Sequence, residues 1–115
     1  MSDPVIDAAT FAELQDSAGA EFAAELVGTF FEEAPGMLAE LRSARTAGDA
    51  DRFRRAAHSL KSNANTFGAL RLAALARELE LKGLDAEPAR DVTALAELDA
   101  EYARAAAALK GLRNG

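Results

Sequence analysis

Apolar residues recur every three or four positions over most of the chain. This period places apolar side chains along one face of a helix. No window alternates apolar and polar residues for long enough to predict a strand, and alanine and leucine are far commoner than β-branched residues. The pattern therefore predicts an all-α fold.

Glycine, proline and helix-capping residues divide the apolar pattern into five segments. The predicted helices span about 7–18, 20–47, 49–67, 70–82 and 86–112. Four long amphipathic helices joined by short loops are typical of an antiparallel up-and-down four-helix bundle. We expect that fold, with the short N-terminal helix as an addition at one end. Because the chain has 115 residues and half of them are apolar, we expect one domain over 1–115.

Local signals mark the predicted helix ends. Asp7 can cap the first helix, and Gly48 followed by Asp49 places a helix stop directly before a helix start. Pro88 suits a first turn, where the backbone amide has no intrahelical partner. Pro35 lies inside the second helix, so we expect that helix to bend or break about one turn before it.

The apolar stripes also predict the core. On the third helix the core arc consists of Phe53, Ala56, Ala57, Leu60, Ala64 and Phe67. The second helix is expected to bury Phe22, Leu26, Phe30, Met37, Leu38 and Leu41, and the fifth to bury Leu95, Leu98, Tyr102, Ala105, Leu109 and Leu112. At about 100° per residue, His58 lies about 150° from the centre of the third-helix arc. It is therefore predicted to face solvent.

His58 is the only histidine in the chain. Imidazole is the side chain best suited to act as a nucleophile or proton carrier near neutral pH. Arg54 lies one helical turn before it, Lys61 and Ser62 lie one turn after it, and Asn65 lies two turns after it. Residues at these spacings share a helix face. We therefore expect cations and small polar groups around His58, a setting that suits the chemistry of anions.

Composition excludes several classes of protein. Without cysteine, the chain has no disulfide or thiolate metal site, and one histidine excludes polyhistidine metal centres. A formal net charge of −6 argues against nucleic-acid binding. No apolar run approaches the roughly 20 residues of a membrane span, and the N-terminus lacks the basic start of a secretory signal. We expect a cytoplasmic protein that binds neither membrane nor nucleic acid and holds no metal.

The segment AAHSLKSNANTFGAL resembles the signature of histidine-containing phosphotransfer (HPt) domains, helical bundles that carry phosphoryl groups between receiver domains in multistep phosphorelays. The matching positions are Ala57, His58, Leu60, Lys61, Ser62, Asn63, Ala64, Phe67, Gly68 and Ala69. An N-terminal FAEL turn, an F-x-x-E-A-P helix and a G-D loop extend the resemblance over nearly the whole chain. Two positions depart from the family pattern, since Ser62 replaces a usual glycine and Asn63 replaces a common serine or alanine.

The resemblance implies a function for these residues. His58 would be the phosphorylated nucleophile, which accepts a phosphoryl group from a receiver aspartate and passes it to another response regulator. Lys61 would offset the charge of the phosphoryl oxygens. Ser62, Asn65, Arg54 and Gly68 are expected to support the site, Gly68 by ending the helix.

The resemblance also implies partners. No P-loop or other nucleotide site is present, so we expect no autonomous enzymatic activity and no cofactor bound by this chain. Magnesium is expected in the site of the partner, a receiver domain of a response regulator or hybrid histidine kinase. We expect a monomer with a transient docking surface around His58, for which Ala69, Ala73 and Ala74 are candidates.

Three other functions must be distinguished from this one. A dimeric histidine-phosphoacceptor module of the sensor-kinase type would have an acid where Ser59 stands and a proline where Asn63 stands. A non-catalytic helical adaptor would carry His58 without chemistry. A hydrolase is rejected because no acidic residue lies three or four positions from His58 to orient the imidazole.

Overall fold

The structure, a computed structural model, describes residues 5–114. Its elements are α1 (Ala8–Ala18), α2 (Ala20–Ala47), α3 (Ala50–Phe67), α4 (Leu70–Lys82) and α5 (Pro88–Asn114). Each helix begins and ends within two residues of the predicted bounds, and no strand occurs among the described residues. The prediction of an all-α fold is confirmed.

The predicted signals act as caps at the start of α1, at the end of α2 and at the start of α3. The Asp7 carboxylate accepts a hydrogen bond from the backbone N–H of Thr10 at 3.1 Å at the start of α1. Gly48 has a left-handed φ of 69° and closes α2, and Asp49 caps α3 by accepting from the N–H of Arg52 at 3.1 Å. A stop and a start at adjacent positions keep the turn between α2 and α3 short.

Helix α2 continues through Pro35, whose side chain is exposed. The predicted alternative of a break is therefore wrong, and the bend stays a prediction. Both halves of the helix bury side chains in the same core, Phe30 before the proline and Leu38 after it. This packing holds the helix together where proline removes one backbone hydrogen bond.

The four long helices enclose the core. Helix α2 packs against α3 and α5, α4 packs against the same two helices, and α1 packs against α2 and α3. The largest fully buried apolar side chains are Phe30, Phe53, Leu41, Leu60, Leu72, Leu98, Leu109 and Val27. The ring of Phe30 lies 5.1 Å from that of Phe67 and 5.7 Å from that of Tyr102, measured between ring centres. These aromatic contacts join α2, α3 and α5.

The predicted core arc of α3 is confirmed, since all six of its residues are buried. For two residues on other helices, the prediction of burial in the core is wrong. Phe22 is 52% exposed and Leu112 is 40% exposed. The buried stripe of α2 passes through Ala23 and Val27 instead. Phe22 is rotated by about 100° from Ala23, and Leu112 lies in the last turns of α5, where fewer neighbours cover a helix.

Two acidic side chains of α5 are buried, and the sequence pattern did not predict them. Asp91 is 3% exposed, and its Oδ2 lies 2.6 Å from Nε of Arg45 on α2. Glu101 is 2% exposed and pairs with Arg71 of α4 and Arg104 of α5. Because an unpaired buried carboxylate is costly, these ion pairs fix α5 against α2 and α4.

Candidate functional site

His58 lies near the middle of α3, with its side chain 61% exposed as the helical wheel predicted. The core residues on either side of it, Ala57 and Leu60, are fully buried. Burial of these neighbours fixes the rotation of α3 about its axis. The imidazole therefore points outward from a rigid part of the bundle.

Helix α4 contributes a carboxylate to this histidine. Nδ1 of His58 lies 2.9 Å from Oε2 of Glu80, whose side chain is 18% exposed. The ammonium of Lys61 lies 3.1 Å from the same oxygen and donates a hydrogen bond to Oε1 at 3.2 Å. Glu80 thus joins the histidine and the lysine that the sequence had placed one helical turn apart.

The expectation that no acid orients His58 is wrong. That expectation rested on positions along α3, whereas Glu80 comes from the neighbouring helix. Helices α3 and α4 are joined at Gly68 and Ala69, and both His58 and Glu80 lie eleven positions from Ala69. Residues equally distant from a tight helical turn lie side by side when the two helices pack together. This symmetry about the turn is the sequence signal that would have found Glu80.

The hydrogen bond from Lys61 lowers the pKa of Glu80 below its ordinary value, and the hydrogen bond from His58 also lowers it, while partial desolvation acts in the opposite direction. Glu80 is therefore ionised at neutral pH and only accepts hydrogen bonds. Nδ1 of His58 must then carry the proton and donate a hydrogen bond to Glu80. In the neutral ring, this tautomer leaves the lone pair on Nε2. No residue between 5 and 114 forms a hydrogen bond with Nε2.

Two arginines lie one helical turn before the histidine and share one carboxylate. Nη2 of Arg54 donates a hydrogen bond to Oδ1 of Asp51 at 2.6 Å, and Nε of Arg55 lies 3.1 Å from Oδ2. Both guanidinium groups are largely exposed. An open cavity beside the imidazole is lined by Arg54, Arg55, His58, Ser59 and Glu80. The cations bordering this cavity are arginines, because Lys61 is not part of its lining.

The remaining predicted site residues lie farther along α3 or directly after its last residue. Ser62 is exposed one turn after His58, and Asn65 is exposed two turns after it, about 10 Å along the helix axis. Gly68 lies about 15 Å along the axis and is buried against α1, where its carbonyl accepts a hydrogen bond from the N–H of Asp7 at 2.8 Å. Lys61 and His58 are thus joined by their shared contact with Glu80, whereas Asn65 and Gly68 lie away from the imidazole.

The surfaces beside His58 differ from those expected. Of the three alanines predicted for docking, Ala69 and Ala73 are buried in the core and are not available, while Ala74 is exposed. Ala69 and Ala73 face the core because α4 packs closely on α3. An open groove instead runs between α2 and α3, and it is lined by Glu32, Glu33, Gly36, Met37, Glu40, Arg52, Arg55, Ala56 and Ser59.

Asn63, the second departure from the signature, lies half-buried at the edge of the core arc. Its side-chain amide donates a hydrogen bond to the backbone carbonyl of Ser59 at 2.8 Å. A half-buried amide needs such a partner. Asn63 is therefore accommodated within α3 and takes no part in the contacts of His58.

Residues 5–114 contain no group of three or more histidine, cysteine, aspartate or glutamate side chains placed to hold a metal ion. None of the helices in the same part of the chain is long and apolar enough to cross a membrane.

Comparisons with known proteins identify a family and a similar solved structure. The family model described as "Hpt domain" matches residues 25–108. The chain is also similar to a solved structure, that of histidine-containing phosphotransfer protein B (HptB) from Pseudomonas aeruginosa PAO1. The two share 30% sequence identity over 98% of this chain and 97% of the other, with a TM-score of 0.87. No curated protein sequence matches the chain significantly.

Proposed function

The chain belongs to the Hpt domain family and is a histidine phosphotransfer protein of phosphorelay signalling. From this premise we propose that His58 accepts a phosphoryl group from the aspartate of a receiver domain and passes it to another response regulator. The observation that carries the proposal is the geometry of the imidazole, which is exposed, held at Nδ1 by Glu80 and open at Nε2.

In the proposed step, the Nε2 lone pair forms a bond to phosphorus while the bond between phosphorus and the aspartyl oxygen breaks. The electron pair of the broken bond remains on the receiver's carboxylate. The phosphorylated ring keeps its proton on Nδ1 and gains positive charge, which the Glu80 carboxylate beside it stabilises. Because the same contacts hold the ring whether the phosphoryl group arrives or leaves, the reverse step can deliver the group to a second receiver.

Lys61 has two roles in this proposal. Its ammonium holds both oxygens of Glu80 and so keeps the carboxylate against the imidazole. It also brings positive charge within one helical turn of the arriving phosphoryl group, as the sequence resemblance implied. The side chain is only 23% exposed, so its charge is less screened than that of a fully exposed lysine.

The partner supplies the remainder of the chemistry. Hpt domains are phosphocarriers rather than autonomous enzymes. We propose that a receiver domain of a response regulator or hybrid kinase docks transiently over His58 and brings the aspartate and its magnesium ion. Ser62, where the family usually has glycine, lies exposed one turn from His58 and faces that partner. Its small side chain leaves room for close approach.

Each long helix packs against two others in the cycle α2, α3, α4, α5, which supports an antiparallel four-helix bundle with α1 added at one end. We propose that this bundle is one domain, acts as a monomer and works in the cytoplasm. A dimeric phosphoacceptor of the sensor-kinase type would instead need a second copy to complete it.

Transfer from a receiver tests the proposal. The full chain is incubated with magnesium and a receiver domain that carries a labelled aspartyl phosphate. We expect label on the chain in an acid-labile and base-stable linkage, and none on His58→Gln. An adaptor would take no label, and persistent labelling of His58→Gln would contradict the assignment. A sensor-kinase-type module would show a molecular mass that depends on concentration and would lose transfer on dissociation.

A further inference from the structure

The cavity beside His58 contains an arginine on the side away from Glu80. On the helical wheel, Lys61 and Arg54 lie on the side of His58 that faces α4, whereas Arg55 lies on the opposite side, towards α2. Arg55 accordingly lines both the cavity beside the imidazole and the groove between α2 and α3. Its charge borders the open space in front of the ring.

The two nitrogens of an imidazole point away from one another on different sides of the ring. With Nδ1 of His58 held by Glu80 on α4, Nε2 is left on the side of the ring away from that contact, where Arg55 also lines the cavity. Cβ atoms three positions apart on a helix lie only about 5–6 Å from one another. A group on Nε2 therefore lies within reach of the guanidinium of Arg55.

Lys61 is less available than Arg55 for direct contact. Its ammonium lies within about 3.2 Å of both oxygens of Glu80, and its side chain is 23% exposed. Arg55 is 68% exposed, and its only ion pair among the described residues is a 3.1 Å contact with Asp51. That carboxylate retains the shorter hydrogen bond from Arg54 if Arg55 leaves. Because exposed ion pairs contribute little to stability, Arg55 can leave Asp51 for another anion at a small cost in free energy.

On the basis of the proposed function, we propose that Arg55 binds the phosphoryl group carried by His58 and that Asp51 holds its guanidinium until that group arrives. The transfer step is the one described above, in which the bond between Nε2 and phosphorus forms as the bond between phosphorus and the aspartyl oxygen breaks. Arg55 exchanges a carboxylate of one negative charge for phosphoryl oxygens that carry up to two. A planar guanidinium matches two such oxygens at once. Arg55 then binds the phosphoryl group directly, whereas Lys61 holds Glu80 and adds positive charge nearby.

A titration without any receiver tests this assignment. The full chain and its variants are phosphorylated with phosphoramidate, a small donor, and the phosphohistidine signal is followed by ³¹P NMR against pH. A bound cation lowers the pKa of a phosphoryl group. We expect Arg55→Gln to raise that pKa by about 0.5 and Arg55→Lys to keep most of the wild-type value.

The matched control is Lys110→Gln, which removes one positive charge from an exposed position of α5 outside the cavity lining. It should titrate as wild type does. An Arg55→Gln titration equal to that of wild type overturns the assignment, and so does an equal shift in Lys110→Gln. Failure of phosphoramidate to label wild-type His58 would also overturn it. If phosphoramidate labels the chain but no receiver does, the result contradicts the proposed function and leaves the role of Arg55 intact.

Discussion

Nδ1 of His58 lies 2.9 Å from Oε2 of Glu80, although 22 positions separate the two residues in the chain. One carboxylate thereby fixes the ring orientation, selects the tautomer with a free Nε2 and stands beside the charge that the proposed phosphorylation would create. Glu80 was absent from the residues that the sequence singled out. It is the residue on which the proposed mechanism most depends after His58 itself.

Removal of the Glu80 carboxylate should slow phosphoryl transfer. Glu80→Ala loses a charge-assisted hydrogen bond and leaves the ring free to rotate, so we expect a fall of about tenfold or more in the rate of transfer from a phosphorylated receiver. Glu80→Gln keeps an oxygen acceptor and should lose less. The control Glu78→Gln changes an exposed residue of the same helix. Transfer by Glu80→Ala at the wild-type rate would exclude the proposed role.

Glu80 should also give the fold a measurable pH dependence. Because its pKa is lowered in the folded chain from an ordinary 4.5, its contribution to stability is complete above pH 4.5 and is lost as the pH falls through the lowered value. The difference in unfolding free energy between wild type and Glu80→Gln should therefore be larger at pH 7 than at pH 3. Urea unfolding at the two pH values measures it. An equal difference at both would show that the ion pair is not formed in solution.

Replacement of Lys61 should separate chemistry from stability. Lys61→Ala removes the cation that holds Glu80, so we expect slower transfer from a receiver. The helix itself should survive, because the core arc of α3 does not include position 61. The melting temperature should change by only a few degrees, as in the surface control Lys110→Ala. A large fall in melting temperature with unaltered transfer would assign Lys61 a structural role instead.

Gly68 offers a test of how the fold supports the site. Its φ is 79°, and an added Cβ would lie 2.8 Å from the backbone oxygen of Asp7. Gly48 has a similar φ of 69° but open space around it. Both alanine variants carry the cost of a left-handed conformation, about 1 kcal/mol, and Gly68→Ala adds the collision with α1. Urea unfolding should show a clearly larger loss for Gly68→Ala. Equal losses would contradict the close packing of α1 on this turn.

Features that depend on neighbours in the chain were predictable from the sequence. The core arc of α3, the outward position of His58 and the adjacent stop and start at Gly48 and Asp49 all follow from helical period and capping chemistry. Each is decided within one or two helical turns. The periodicity of a single helix contains that information.

Features that depend on another helix were not recovered. The contact of His58 with Glu80 requires α4 to pack in one register on α3, and the burial of Asp91 requires the guanidinium of Arg45 on α2. Phe22 was assigned to the core by its apolar character, although the packed neighbours leave it half exposed. The burial of such residues depends on which other helices pack over them, and the apolar pattern along one helix does not contain that information.

The most direct test is to locate the phosphoryl group on the ring after transfer from a receiver. Wild-type chain labelled with ¹⁵N in histidine is phosphorylated by a phosphorylated receiver with magnesium, and the ring nitrogens of its one histidine are observed by NMR. We predict phosphorus bonded to Nε2 of His58 and a proton retained on Nδ1. Phosphorus on Nδ1, or a phosphorylated chain whose His58 ring is unmodified, would contradict the account.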